Sequence, residues 1–138
     1  MEFKWNKSQH QLLFDRGLNN GGRVQQFIDS ECIRLMKPYT PMLSGNLAKS
    51  ATISTKIGSG DIKQNTPYAR YQYYGKLMVS SITGSAYATQ GESKVLTDKN
   101  LKYRKINPNA GPFWFERMKS DHKRTILSGA EKISGAKL

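Results

Sequence analysis

The stretch RVQQFIDSECIRLM, residues 23–36, leaves this chain the least freedom. Val24, Phe27, Ile28, Cys32, Leu35 and Met36 recur at helical spacing on one face, while Gln25, Gln26, Asp29, Ser30 and Arg34 fall mostly elsewhere. The pattern predicts an amphipathic helix of about four turns. Pro38 ends it, because the residue before a proline is pushed out of the α region. PFWFERMKSDHKRTILSGAEKISG, residues 112–135, predicts a second long helix. Pro112 stands at or near its start, and Phe115, Met118, Ile126, Leu127, Ala130 and Ile133 carry most of its apolar side. Ser128 and Gly129 weaken its last turns. With 138 residues, 37% of them apolar, the chain predicts one domain, 1–138, with a modest core or one that gains burial from neighbouring subunits.

Between and around these helices the period changes. MEFKW alternates Met1, Phe3 and Trp5 with Glu2 and Lys4, which predicts a short strand. GLNNGG is a loop by composition, and Pro38 and Pro41 bracket a stiff linker. Leu43, Gly45 and Leu47 lead into SATISTKI, whose β-branched content predicts a strand. GSGD reads as a turn and IKQN as the return strand of a hairpin. KLMVSSITG reads as a strand opening a polar region, 76–111, expected as an extended loop or projecting hairpin arm. The expected fold is α+β: a small antiparallel sheet packed against two long amphipathic helices, with a short tyrosine-rich helix and the projecting arm.

Lys and Arg number 22 against 10 acids, a net charge of +12 that favours acidic partners: nucleic acid, an acidic protein surface or an anionic membrane. The single cysteine, Cys32, excludes an intrachain disulfide, reads as a small buried hydrophobe and fits synthesis in a reducing cytoplasm. Residues 1–20 are polar, without a secretory signal, and no apolar run is long enough to span a bilayer, so a soluble protein is expected. Asp121 and His122 are adjacent on a helix and diverge, so they do not read as a catalytic pair. Two histidines and one cysteine without clustered carboxylates match no metal spacing. No catalysis, metal or cofactor is expected.

NTPYARYQYYGK, residues 65–76, holds four of the seven tyrosines: Tyr68, Tyr71, Tyr73 and Tyr74. Thr66 is expected to cap a short helix with Pro67 at its first position, and Gly75 to stop it. The rings read either as a stacking platform for single-stranded bases or as a protein interface. Tyr68 and Tyr71 share a side, with Tyr74 near Tyr71 and Tyr73 turned away; rings on several sides fit packing between the domain and a neighbour better than one open platform. A basic run, Lys99, Lys102, Arg104, Lys105, Arg117, Lys119, Lys123 and Arg124, is opposed only by Glu116 and Asp121. It reads as a solvated face, a surface for an acidic partner, or a phosphate-contacting surface. Nonspecific nucleic-acid binding is therefore the alternative function.

The order PYTPMLSGNLAKS, NTPYARYQYYG and AGPFWFERMKSDHK (38–50, 65–75, 110–123) resembles the minor capsid or neck proteins of tailed bacteriophages, a group that includes head–tail connector and tail-completion proteins. The resemblance covers most of residues 20–134; residues 76–111 are longer than the usual link, and the first twenty match loosely. It implies a structural virion protein made in the host cytoplasm. Such a protein forms a homo-oligomeric ring, a hexamer or a dodecamer, between head-closure or adaptor proteins and the tail terminator or tube. Genomic DNA passes through the lumen, and no membrane is involved. Subunit contacts are then expected at Tyr68, Arg70, Tyr71, Tyr73, Tyr74 and Trp114, with Lys99, Lys102, Arg104, Lys105, Lys119, Lys123 and Arg124 facing an acidic partner or DNA.

Overall fold

The computed structural model describes residues 8–42, 45–85, 89–103 and 108–135. The strand expected at MEFKW lies outside them. Among the described residues the chain is α+β, with five α-helices and one two-stranded antiparallel sheet. The helices are α1 (Gln9–Asp15), α2 (Arg23–Met36), α3 (Asn46–Ser54), α4 (Ala69–Tyr74) and α5 (Trp114–Ser134); β1 (Lys76–Ser80) and β2 (Lys94–Asn100) lie between α4 and α5. A 3-10 turn, Lys37–Tyr39, finishes α2 at Pro38.

α2 and α5 run antiparallel and form the frame. Arg23 Nε donates to the Ile133 carbonyl at 3.2 Å at one end, and Tyr39 beyond the other end of α2 donates its hydroxyl to Asp121 at 2.6 Å. Midway, a Cβ added to Gly129 would lie 2.4 Å from Phe27 Cζ, so the missing side chain lets the Phe27 ring lie on α5. Glycine there costs helix propensity of roughly 1 kcal/mol. Trp114, Met36 and Met118 are fully buried in the core with Cys32, Leu47, Ala51 and Ile126. Each such side chain contributes about 1.5–3 kcal/mol of transfer free energy. The buried stripe of α5 is Trp114, Met118, Ile126 and Ala130; Leu127, expected on that side, stands one position off it and is half exposed.

The hairpin expected over SATISTKI and IKQN is absent. SATIS lies in α3, where Leu47, Ser50 and Ala51 are buried at helical spacing while β-branched Ile53 points into solvent. Burial of three residues on one helical face outweighs β-propensity. The chain still folds back beyond α3, but side chains make the links. Thr55 Oγ1 accepts from the Lys63 amide at 2.9 Å and donates to its carbonyl. Asp29, 2% exposed on α2, accepts the amides of Gly58 and Gly60 at 2.8 and 3.1 Å on one carboxylate oxygen, and Gln25 Nε2 at 2.7 Å on the other. Asp29 is thus an anchor in the protein interior.

β1 and β2 form the only ladder among the described residues, pairing Met78 with Leu96, Val79 with Val95 and Ser80 with Lys94, with an irregularity between Lys76 and Met78. The sheet follows α4 directly through Gly75. α1 starts at Ser8, whose hydroxyl accepts from the Gln11 amide at 3.1 Å. Arg16 ties α1 to the far end of α5, donating to the Gly135 carbonyl at 2.9 Å, while Arg23 donates to the Asp15 carbonyl at 2.8 Å. Cations at the carbonyl end of a helix complement its dipole.

Replacing Asp29 with alanine should strand two turn amides and lower the unfolding free energy by roughly 3 kcal/mol. Asp29→Asn should cost less, since one amide oxygen still accepts. Urea denaturation checks this through the midpoint at constant slope; equal stability of Asp29→Ala and the parent refutes the anchor.

Candidate functional site: an aromatic junction between the tyrosine helix and the last helix

Three segments meet where α4 ends. Gly75 stops α4 in the left-handed region (φ 71), and a Cβ there would lie 3.1 Å from Pro112 and 3.2 Å from the Tyr103 hydroxyl. The Gly75 carbonyl accepts from the Leu101 amide at 2.9 Å, and the Tyr73 carbonyl accepts from the Phe113 amide at 2.8 Å. Tyr103 adds a hydroxyl bond to the Gln72 carbonyl. The chain therefore leaves at Gly75, makes the β1–β2 hairpin, and returns to the same place.

The Tyr73 ring fills this junction. Its centroid lies 4.8 Å from Trp114, 5.5 Å from Phe113 and 5.6 Å from Tyr74, each nearly perpendicular. Edge-to-face pairs of this kind are worth about 0.5–1.5 kcal/mol beyond the area they bury. Trp114 is 1% exposed and donates its indole N–H to Gln64 Oε1 at 2.9 Å. Trp114, expected at a subunit contact, lies in the interior of the chain. Tyr73 and Tyr68 are half buried against the core. Tyr71 is also half buried, with Lys94 of β2 5.6 Å from its ring, so the tyrosine helix docks the hairpin. Arg70 and Tyr74 are exposed.

Thr66 does not cap α4. The helix begins two residues later than expected with Tyr68 at the cap, and Thr66 Oγ1 is buried without a hydrogen-bond partner among the described residues. Its carbonyl instead accepts from the Ala69 amide at 3.1 Å.

Phe113 is the one described non-glycine residue with positive φ, at 52° with ψ 41°. A bulky side chain in that region costs about 1–3 kcal/mol. The bond to Tyr73 holds it there, and its ring remains 42% exposed beside half-exposed Tyr74 at 5.9 Å.

The expected basic surface divides. Lys99 belongs to β2 and Lys102 follows it; Lys119 and Lys123 lie one turn apart on α5 with Arg124 beside them, and all five are exposed. Arg104 and Lys105 lie outside the described residues. Arg117 is a structural tether: it donates to the carbonyls of Pro112 and Asn109 at 2.8 and 2.7 Å and lies 5.5 Å from the Tyr39 ring.

Tyr39 also brings together two residues that diverge on α5. Its hydroxyl donates to Asp121 and lies 3.3 Å from His122 Nε2. Sequence reasoning had no means of finding this pair, since the joining residue is 82 positions away. Burial, with Asp29 and Glu31 nearby, pushes the Cys32 thiol above its usual range, away from reactivity. Among the described residues no cluster of His, Cys, Asp and Glu is placed to hold a metal ion, and no helix is long and apolar enough to cross a membrane. No protein family, curated protein or solved structure matches the chain.

Four tyrosines are pushed above their ordinary value near 10: Tyr39 first by its bond to Asp121, and Tyr71, Tyr73 and Tyr103 first by burial. Groups raised on folding favour the native state fully below pH about 10 and lose that contribution as pH rises through their folded values. Alkaline titration followed by phenolate absorbance should therefore show a late step coincident with loss of helical circular dichroism. Complete ionisation of every tyrosine near pH 10 with the fold intact overturns the junction as drawn.

Proposed function

We propose that the chain is a structural virion protein of a tailed bacteriophage, forming a ring in the neck that joins the head-closure or portal complex to the tail and surrounds the DNA channel. One observation carries this reading. The three segments on which the resemblance rests meet in a single core cluster, with Tyr39 and Leu47 from the first, Ala69 from the second, and Trp114 and Met118 from the third, while Tyr73 of the second packs against it. Residues that are distant in sequence and share a motif order thus also share one structural task.

The surface fits a ring subunit. A ring joins one face of each copy to a different face of the next. Exposed apolar side chains occur at both ends of the α2–α5 frame: Tyr74 and Phe113 where α5 begins, and Leu13, Phe14 and Leu18 where α1 meets its last turn. The exposed lysines of β2 and α5 suit acidic faces of neighbouring rings and speed docking.

Removing the protein from the phage that encodes it should leave filled heads and free tails unjoined in electron micrographs, and Tyr74→Ala should reproduce the defect in part. Normal joined particles in its absence reject the proposal. Tight duplex-DNA binding at physiological salt, with no affinity for neck components, favours the nucleic-acid alternative.

A further inference from the structure

We infer that the exposed aromatic pair Tyr74–Phe113 of one copy inserts into the cleft between the Leu18–Gly21 loop and the Lys56–Ser59 turn of the next copy. This deepens the ring reading above and rests on it for its biological setting. The cleft has a volume of about 660 Å³; Leu18, Val24, Ile28 and Ile57 give it apolar surface, interleaved with polar groups such as Asn19 and Gln25. Leu18 and Ile57 are 49% and 43% exposed there. The turn forming one wall is pinned by Asp29 through Gly58 and Gly60, so the cleft is preformed.

Three features select a second copy as the occupant. The knob is held out at a cost: Phe113 keeps a strained backbone, and its ring stays partly exposed. Strain of that kind persists only where the surroundings enforce it and collects at working sites. Knob and cleft are unlike surfaces, so their union is head-to-tail, and they lie apart on the frame. The cleft is built on the first turns of α2, alongside the last turns of antiparallel α5, whereas Phe113 precedes the first turn of α5. Charge also matches locally: exposed Glu116 stands in the first turn of α5 beside the knob, and exposed Lys56 lines the cleft. The area is small: two half-exposed rings offer roughly 200 Å² together, about a quarter of what each partner of a standard interface buries. The pair is thus an anchor for a contact that forms when copies are held together, and it leaves the isolated chain weakly associating.

Net charge opposes this union. Copies carrying +12 repel each other at low salt, and a Debye length of about 3 Å at 1 M removes that repulsion. Self-contact through this site therefore strengthens with salt, the reverse of nucleic-acid binding.

The test places a photoreactive benzoyl-phenylalanine at position 113 in the full chain, mixes isotopically labelled and unlabelled protein at high concentration, and maps adducts by mass spectrometry. Intermolecular adducts on residues 18–28 or 56–59, increasing with salt, are expected. Ile57→Asp should lower their yield about tenfold, because it removes an apolar contact and puts a charge against the inserted rings. Phe113→Gly keeps the amide bond to Tyr73 and accepts the positive φ, which offsets part of the lost ring contacts; with a native circular dichroism spectrum, it should abolish salt-promoted association measured by sedimentation. Adducts mapping elsewhere, intramolecular adducts alone, or association untouched by Phe113→Gly overturn the contact. Virions that contain the chain but give no such adduct reject the contact and leave the neck role standing. The adduct in a protein absent from virions does the opposite.

Discussion

The bond from the Phe113 amide to the Tyr73 carbonyl, 2.8 Å long, is the constraint on which the rest of the arrangement turns. It joins the end of a six-residue helix to the entry of a twenty-one-residue one. A helix as short as α4 is unstable alone. Here its last carbonyls are taken by Gly75, Tyr103 and Phe113, while Tyr73 packs edge-on against Trp114. The same bond fixes Phe113 in its unusual conformation and closes the base of the β1–β2 excursion. A two-stranded hairpin has little independent stability, so an anchored base is what makes this one persist.

Part of the positive charge is used within the fold. Arg16 and Arg23 satisfy carbonyls at the end of α5, Arg117 holds the approach to its start, Lys94 covers Tyr71, and Lys76 donates to Asn100 at 2.8 Å. These five side chains bind carbonyls, an amide oxygen and a ring without needing acids. A surplus of cations over acids is therefore not by itself a measure of how strongly the exterior attracts polyanions. The exposed remainder, on β2 and α5 and also at Lys37, Lys49, Lys56, Lys63 and Arg70, is what an external partner meets.

The two long helices were legible because their apolar spacing is regular and proline or glycine marks their ends. The α+β class and Gly75 as the stop of α4 were legible for similar local reasons. Other features were not. SATIS carries strand-forming residues, and only the burial of Leu47, Ser50 and Ala51 turns it into a helix. Asp29 looked like solvent-facing polarity, although it lies three positions before Cys32 on the buried side; what it binds is two amides 29 and 31 residues away. α1 carries a cap signal in Ser8 but buries none of its residues, so its apolar pattern is too short and too broad to stand out. Of the tyrosines, composition gave the crowding and tertiary structure gave the division of labour. Tyr73 faces the core, Tyr71 the hairpin and Tyr74 solvent.

The length of the frame has a geometric corollary. From Phe113 to the last turns of α5 is roughly 25–30 Å at 1.5 Å per residue. If that span is the chord from one copy to the next, a closed ring has a radius equal to the chord for six copies and about twice it for twelve. In the ring proposed above, subunit number and lumen width are then one variable, and a measured inner diameter alone tells six copies from twelve.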